Sequence, residues 1–236
     1  MKLNKTILRD CISNVNYQKA VAFAILLKLH YKHSIIRNWS VNKIHVKTHI
    51  APQTIERYLN TLFAQGLAET QHSHLIIKSI VSRRDYQNIT IDHFVTKTFR
   101  DIYNSLRATL IARIQAKKNF IKSTIQTCRN PKSLAEYKRA RKILKRLNIR
   151  GEYQDNGISF KRIAQETGNC IRTAQRIVKF AISQRWMRKE QNAEFIYMPF
   201  IQYREWDKAT YTTMHKICYM HANKYILSAT IKNIGW

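Results

Sequence analysis

Apolar positions along the chain fall into helical stripes interrupted by short polar turns, and one arrangement of stripes occurs twice. Residues 39–78 read "WSVNKIHVKTHIAPQTIERYLNTLFAQGLAETQHSHLIIK" and residues 158–197 read "ISFKRIAQETGNCIRTAQRIVKFAISQRWMRKEQNAEFIY". They superpose without a gap when residue 39 is laid on residue 158, a shift of 119. Identities are few: Ser40 with Ser159, Ile44 with Ile163, Thr48 with Thr167, Thr54 with Thr173, Arg57 with Arg176, Gln65 with Gln184 and Ile77 with Ile196. Apolar character also matches, as at Ile55/Ala174, Leu59/Val178, Leu62/Ala181 and Leu67/Trp186. Ahead of each copy, with the shift changed to 120, Tyr17, Ala20, Phe23, Ala24 and Leu27 face Tyr137, Ala140, Ile143, Leu144 and Leu147, spaced for one face of a helix.

Each copy therefore predicts a helix, a short helix, a turn, a longer helix and a two-stranded hairpin. Ser159 is an N-cap residue for the second short helix, and Gly168 suits a left-handed turn at its end. Pro52 stands where a helix-opening proline is tolerated in the first copy. The hairpins are expected in "GLAETQHSHLIIKSIV" and "RWMRKEQNAEFIYMPF". Between the copies, Val95, Phe99, Ile102, Leu106, Leu110 and Ile114 predict a long helix with one apolar seam, either bracing the chain or pairing with a second copy through residues 92–127. Ser133 and Glu136 form a capping box for a helix whose buried stripe is Leu134, Tyr137, Leu144 and Leu147. In the tail, Tyr211, Met214, His215, Cys218 and Tyr219 are spaced for a further helix. The expected division is 1–91 for the first domain, 92–132 for a helical connector, 133–200 for the second domain and 201–236 for a helical tail packed on it.

Charge changes the picture. The 236 residues carry 42 Lys and Arg against 14 Asp and Glu, a formal net charge of +28. Such an excess opposes compaction unless a polyanion neutralises it, which favours nucleic acid first and an anionic membrane surface second. The longest apolar run, Ala20–Leu27, is far short of the ~20 residues that span a bilayer. The N-terminal "MKLNKTILRDCISN" is charged where a signal peptide is apolar, so the chain reads as intracellular, with no membrane partner. Cys11, Cys128, Cys170 and Cys218 show neither a C-x-x-C pair nor His at ligand spacing, which argues against a zinc site or a disulfide framework.

Both copies resemble the winged helix-turn-helix family. The second keeps that family's Ile163, Ala164, Gly168, Thr173, Ala174 and Arg176, but has Arg185 where a glycine is usual before the wing. The first keeps Ile44, Thr54, Ile55, Arg57, Gly66 and Leu67, but has His45 and His49 at the Ala and Gly positions. The resemblance implies a mainly α fold with small β wings, two tandem winged helix-turn-helix domains joined by a long basic helical connector. It also implies that the longer helix of each copy enters the major groove of double-stranded DNA. The base-contacting candidates are then Gln53, Glu56, Arg57 and Asn60 in the first copy and Arg172, Gln175, Arg176 and Lys179 in the second. Lys43, Lys78, Lys161, Arg162, Arg188 and Lys189, with Lys138, Arg139, Arg141 and Lys142 on the capped helix, are candidates for phosphates.

Catalysis is not expected. The acids are scattered, no Gly-rich phosphate loop is present, and no cofactor is implied. His72 and His74 have the spacing of a metal pair on one side of a strand, but exposed wing histidines near phosphate are the preferred reading. Two unlike winged helices in one basic chain resemble the replication initiators of plasmids and phages. A transcriptional regulator, or a virion protein packaging DNA without sequence preference, would share the architecture.

Overall fold

A computed structural model describes residues 2–31, 34–81, 88–91, 98–148, 157–197, 209–213, 216–227 and 231–232. In chain order these form β1 (Lys2–Asn4), α1 (Lys5–Asp10), α2 (Val15–Tyr31), β2 (Ile35–Ile36), α3 (Val41–Thr48), α4 (Pro52–Ala64), β3 (Ala68–Gln71), β4 (His74–Ile77) and β5 (Asn88–Ile91). Then come α5 (Phe99–Arg129), α6 (Leu134–Arg146), α7 (Phe160–Thr167), α8 (Ile171–Ser183), β6 (Met187–Tyr197), β7 (Ala209–Thr213), β8 (Lys216–Leu227) and β9 (Ile231–Lys232). The described chain is mainly helical with small antiparallel sheets.

Two compact units result. One comprises Met1–Ile111, Phe160–Met187 and Leu227–Ile234; the other comprises Ala112–Ser159, Arg188–Ile226 and Gly235–Trp236. These units do not follow the expected order along the chain. Residues 160–187 belong with the N-terminal half, whereas α6 belongs to the other unit.

In the first unit α2 is the hub. Its run from Ala20 to Leu27 is buried on every side, and it packs against α3 and α4. Helix α4 turns Ile55, Tyr58, Leu59 and Leu62 inward, each 6% exposed or less. Complete burial of an aliphatic side chain contributes about 1.5–3 kcal/mol, so this face alone anchors the helix. A three-stranded sheet of order β2-β4-β3 follows, with Ala68 opposite Ile77 and Gln71 opposite His74. A second sheet, β1-β5-β9, joins Lys2 to Thr90 and Thr90 to Lys232.

The repeat is geometrical as well as sequential. Helices α7 and α8 begin and end 119 residues after α3 and α4. Left-handed residues terminate both short helices, His49 (φ 56°) and Gly168 (φ 67°), and both long ones, Gly66 (φ 64°) and Arg185 (φ 57°). The Thr48 hydroxyl donates to the Ile44 carbonyl at 2.8 Å, as Thr167 does to Ile163 at 2.7 Å. Leu67 N–H donates to the Leu62 carbonyl, and Trp186 N–H to that of Ala181, both at 2.9 Å.

Beyond Met187 the correspondence ends. Where a second hairpin was expected, β6 is one continuous strand of 11 residues, placed beside β8 in a sheet of order β6-β8-β7. Its polar residues continue the strand, whereas those of the first copy reverse at His72, φ 52°, and Ser73. The expected helical tail is also corrected: Tyr211, Cys218 and Tyr219 lie in β7 and β8, with Tyr211 opposite Cys218 and Ala209 opposite Tyr219. Met214 and His215 lie outside the described residues.

Helices α5 and α6 differ from their predicted faces. Every residue from Ser105 to Ala112 is buried, because Ser105, Ala108, Thr109 and Ala112 are small enough to pack where a polar face was expected. Val95 lies outside the described residues. On α6 only Ala140 is buried, Leu134 is 68% exposed, and Tyr137, Leu144 and Leu147 are half-buried, so the expected stripe is only partly covered.

Candidate nucleic-acid interface

Amphipathic spacing fixes which side chains α4 and α8 present. With Ile55, Tyr58, Leu59 and Leu62 buried, Gln53, Glu56, Arg57 and Asn60 all stand on the exposed face. Helix α8 buries Ala174, Ile177, Val178 and Ala181 and exposes Arg172, Gln175, Arg176 and Lys179. All eight belong to the first unit. The Arg57 guanidinium lies 5.5 Å from the Tyr58 ring centroid, which leaves its donors available while restricting its reach.

The starts of these two helices share a further property. Ala51 and Cys170 occupy the N-cap positions, and neither makes the side-chain cap bond to a backbone N–H of the first turn. By contrast, Ser40 accepts from Lys43 N–H at the start of α3, and Ser133 from Glu136 N–H at the start of α6. Uncapped first-turn N–H groups, with the positive end of the helix dipole, suit a phosphate oxygen. The exposed Cys170 sulfur is 3.2 Å from the Thr173 hydroxyl, and that hydrogen bond draws its thiol below the usual range.

The phosphate candidates are all exposed but unequal. Lys43 Nζ donates to the Asn38 carbonyl at 2.7 Å. Lys78 pairs with Glu69 at 2.9 Å, Arg162 with Glu166, and Arg188 with Glu190 at 3.0 Å, so these three exchange an internal acid for any external one. Among the described residues no acid pairs with Lys161, Lys189, or Lys138, Arg139, Arg141 and Lys142 of α6. Lys145 and Arg146, on the same helix, are equally exposed. Arg188, Lys189 and the α6 cations belong to the second unit, and Arg188 and Lys189 lie on strand β6 instead of in a wing.

No protein family, curated protein or solved structure matches this chain.

The histidines are placed differently from the expected strand pair. His72 sits in the turn between β3 and β4 at φ 52°, and only His74 is in a strand. Among the described residues no three His, Cys, Asp or Glu side chains converge to hold a metal ion, and no helix is long and apolar enough to cross a membrane. His45 has a structural use: its Nδ1–H donates to the Ile50 carbonyl at 2.8 Å, closing the turn into α4.

Sequence reasoning missed the residues beneath the second helix pair. Gln18 is completely buried and Arg107 is 9% exposed, yet each donates to the α7–α8 turn. A Gln beside a buried run and an Arg on an apolar helix are the signals that could have disclosed them, because buried polar groups require partners.

Proposed function

We propose that this protein binds double-stranded DNA through two helix-turn-helix elements, α3–α4 and α7–α8, with α4 and α8 in the major groove. The observation that carries the proposal is the repeated register: Arg57 and Arg176 stand at equivalent places on two exposed, side-chain-uncapped helices of a chain with net charge +28. Arginine forks onto guanine, and Gln53, Asn60 and Gln175 offer the donor and acceptor pair that matches adenine. The β3–β4 hairpin serves as the wing of the first element, while the second has β6 in its place. The basic face of α6 adds contacts to phosphate. The unlike sets on α4 and α8 suit a bipartite site, and we propose replication initiation on a plasmid or phage as the role.

The test is duplex affinity against salt. About eight phosphate contacts give a log–log slope near −7, and an affinity indifferent to salt between 50 and 200 mM would overturn the proposal. Arg57→Ala and Arg176→Ala are each expected to lose about 1–3 kcal/mol and to relax preference at one base pair. Maintenance of a plasmid bearing the flanking DNA tests the initiator role.

A further inference from the structure

The α7–α8 turn is built into the first unit by a continuous set of hydrogen bonds. Ser13, between α1 and α2, donates its N–H to the Glu166 carbonyl at 2.8 Å and its hydroxyl to the Gln165 carbonyl at 2.7 Å. Gln18 Nε2 donates to the carbonyls of Cys11 at 2.8 Å and Thr167 at 3.0 Å, tying the α1–α2 corner to the turn. From α5, Arg107 Nη2 donates to Asn169 Oδ1 at 2.8 Å, and Asn169 Nδ2 donates to the Thr167 carbonyl at 2.7 Å, so the amide is held from both ends. A Cβ on Gly168 would lie 2.6 Å from the Ser13 carbonyl oxygen, so the close approach itself requires glycine.

The same residues lead back to the first helix pair. Arg107 lies over the Tyr103 ring at 4.4 Å; Tyr103 stacks with Phe99 at 6.1 Å, Phe99 with Tyr58 of α4 at 5.5 Å, and Tyr58 meets Phe23 of α2 at 5.5 Å. Among the described residues Arg107 Nε and Gln18 Oε1 are buried without hydrogen-bond partners, a cost that an ordinary solvent-facing turn would avoid.

The structure assigns to Ser13, Gln18, Arg107, Gly168 and Asn169 the role of fixing α8 relative to α4, so that the two helices read half-sites of one spacing only. These are positioning residues. The inference rests on the DNA-binding reading, but the rigidity it needs is measurable without DNA. Along the chain the two helix pairs are joined only through residues 65–159, of which 112–159 belong to the other unit.

Two measurements test it. Spin labels on Gln65→Cys and Ser183→Cys, with Cys128, Cys170 and Cys218 changed to Ser, should give one narrow distance in the free protein. The pair Ser13→Ala with Asn169→Ala, which leaves both apolar cores intact, should broaden it, as should Gly168→Ala. A broad distribution in the parent overturns the inference whatever the chain binds. Next, the tightest duplex selected from a random pool is lengthened by 5 or 10 bp between its halves, the first insertion turning one half-site to the opposite face. The parent should lose about 100-fold on either insertion, falling towards the affinity of one element. The Ser13→Ala, Asn169→Ala variant should change less than about threefold across the three duplexes while keeping the parent affinity for a single half-site. Equal binding by the parent to all three, or a bound duplex with no two halves, overturns the spacing role and leaves DNA binding standing. A narrow distance with no duplex binding at all overturns the DNA reading and, with it, the spacing role.

Discussion

Four left-handed residues punctuate the two helix pairs, and their side chains show what each position demands. Gly66 has nothing within 4 Å of where a Cβ would go, whereas Gly168 meets the Ser13 backbone. Gly66→Ala is therefore expected to cost about 1 kcal/mol through backbone strain alone, and Gly168→Ala distinctly more, as read from urea midpoints. At the equivalent of Gly66, Arg185 carries a side chain at φ 57°. Arg185→Gly should stabilise the protein by up to about 1 kcal/mol; a loss of stability would show that the guanidinium makes a contact outweighing the strain. At the equivalent of Gly168, His49 is exposed at φ 56°, in a turn that His45 closes from its own side through the Ile50 carbonyl. His45 and His49 were visible in the sequence as departures from the winged-helix pattern it resembles; the demand for glycine at 168 was not, since it depends on the Ser13 backbone, 155 residues away along the chain.

At the scale of elements, α6 displays six cations, Lys138, Arg139, Arg141, Lys142, Lys145 and Arg146, around a single buried residue, Ala140. If each of the first four contacts a phosphate, changing those four to Ser should flatten the salt slope by about 3–4. Base preference should be unchanged; an unaltered slope would mean that α6 faces only solvent. The helices of the two copies were legible because a 3.6-residue stripe has few imitators over two or more turns, and the ends of α7 and α8 keep the shift of 119 from those of α3 and α4. The tail was not legible for a definite reason. Tyr211, Met214, His215, Cys218 and Tyr219 follow the three- and four-residue steps of one helix face, but Tyr211 lies in β7 and Cys218 and Tyr219 in β8, so the steps were counted across two strands. The Thr and Tyr content favoured the strand. In β6 the polar residues suggested a turn, but polar residues are also what an exposed strand face carries.

For the whole molecule, buried phenols set an alkaline limit. Burial raises the Tyr17, Tyr103 and Tyr225 hydroxyls above their ordinary value. In the unfolded chain they ionise near pH ~10, while the fold holds them neutral. Their contribution is thus complete below about pH 10 and is lost as pH rises through the higher folded values. Urea midpoints should fall between pH 9 and 11, and Tyr17→Phe should flatten that fall; a midpoint unchanged across the range would contradict it. The sheet β1-β5-β9 has a different consequence, one of timing. Its strands come from residues 2–4, 88–91 and 231–232, so on a ribosome the first unit lacks its third strand until residue 232 has left the exit tunnel. Residues 160–187 likewise reach Ser13 and Gln18 only after the second unit's first segment has been made. Until then the nascent chain exposes an incomplete first unit, in which the second helix pair has yet to reach its partners at Ser13 and Gln18.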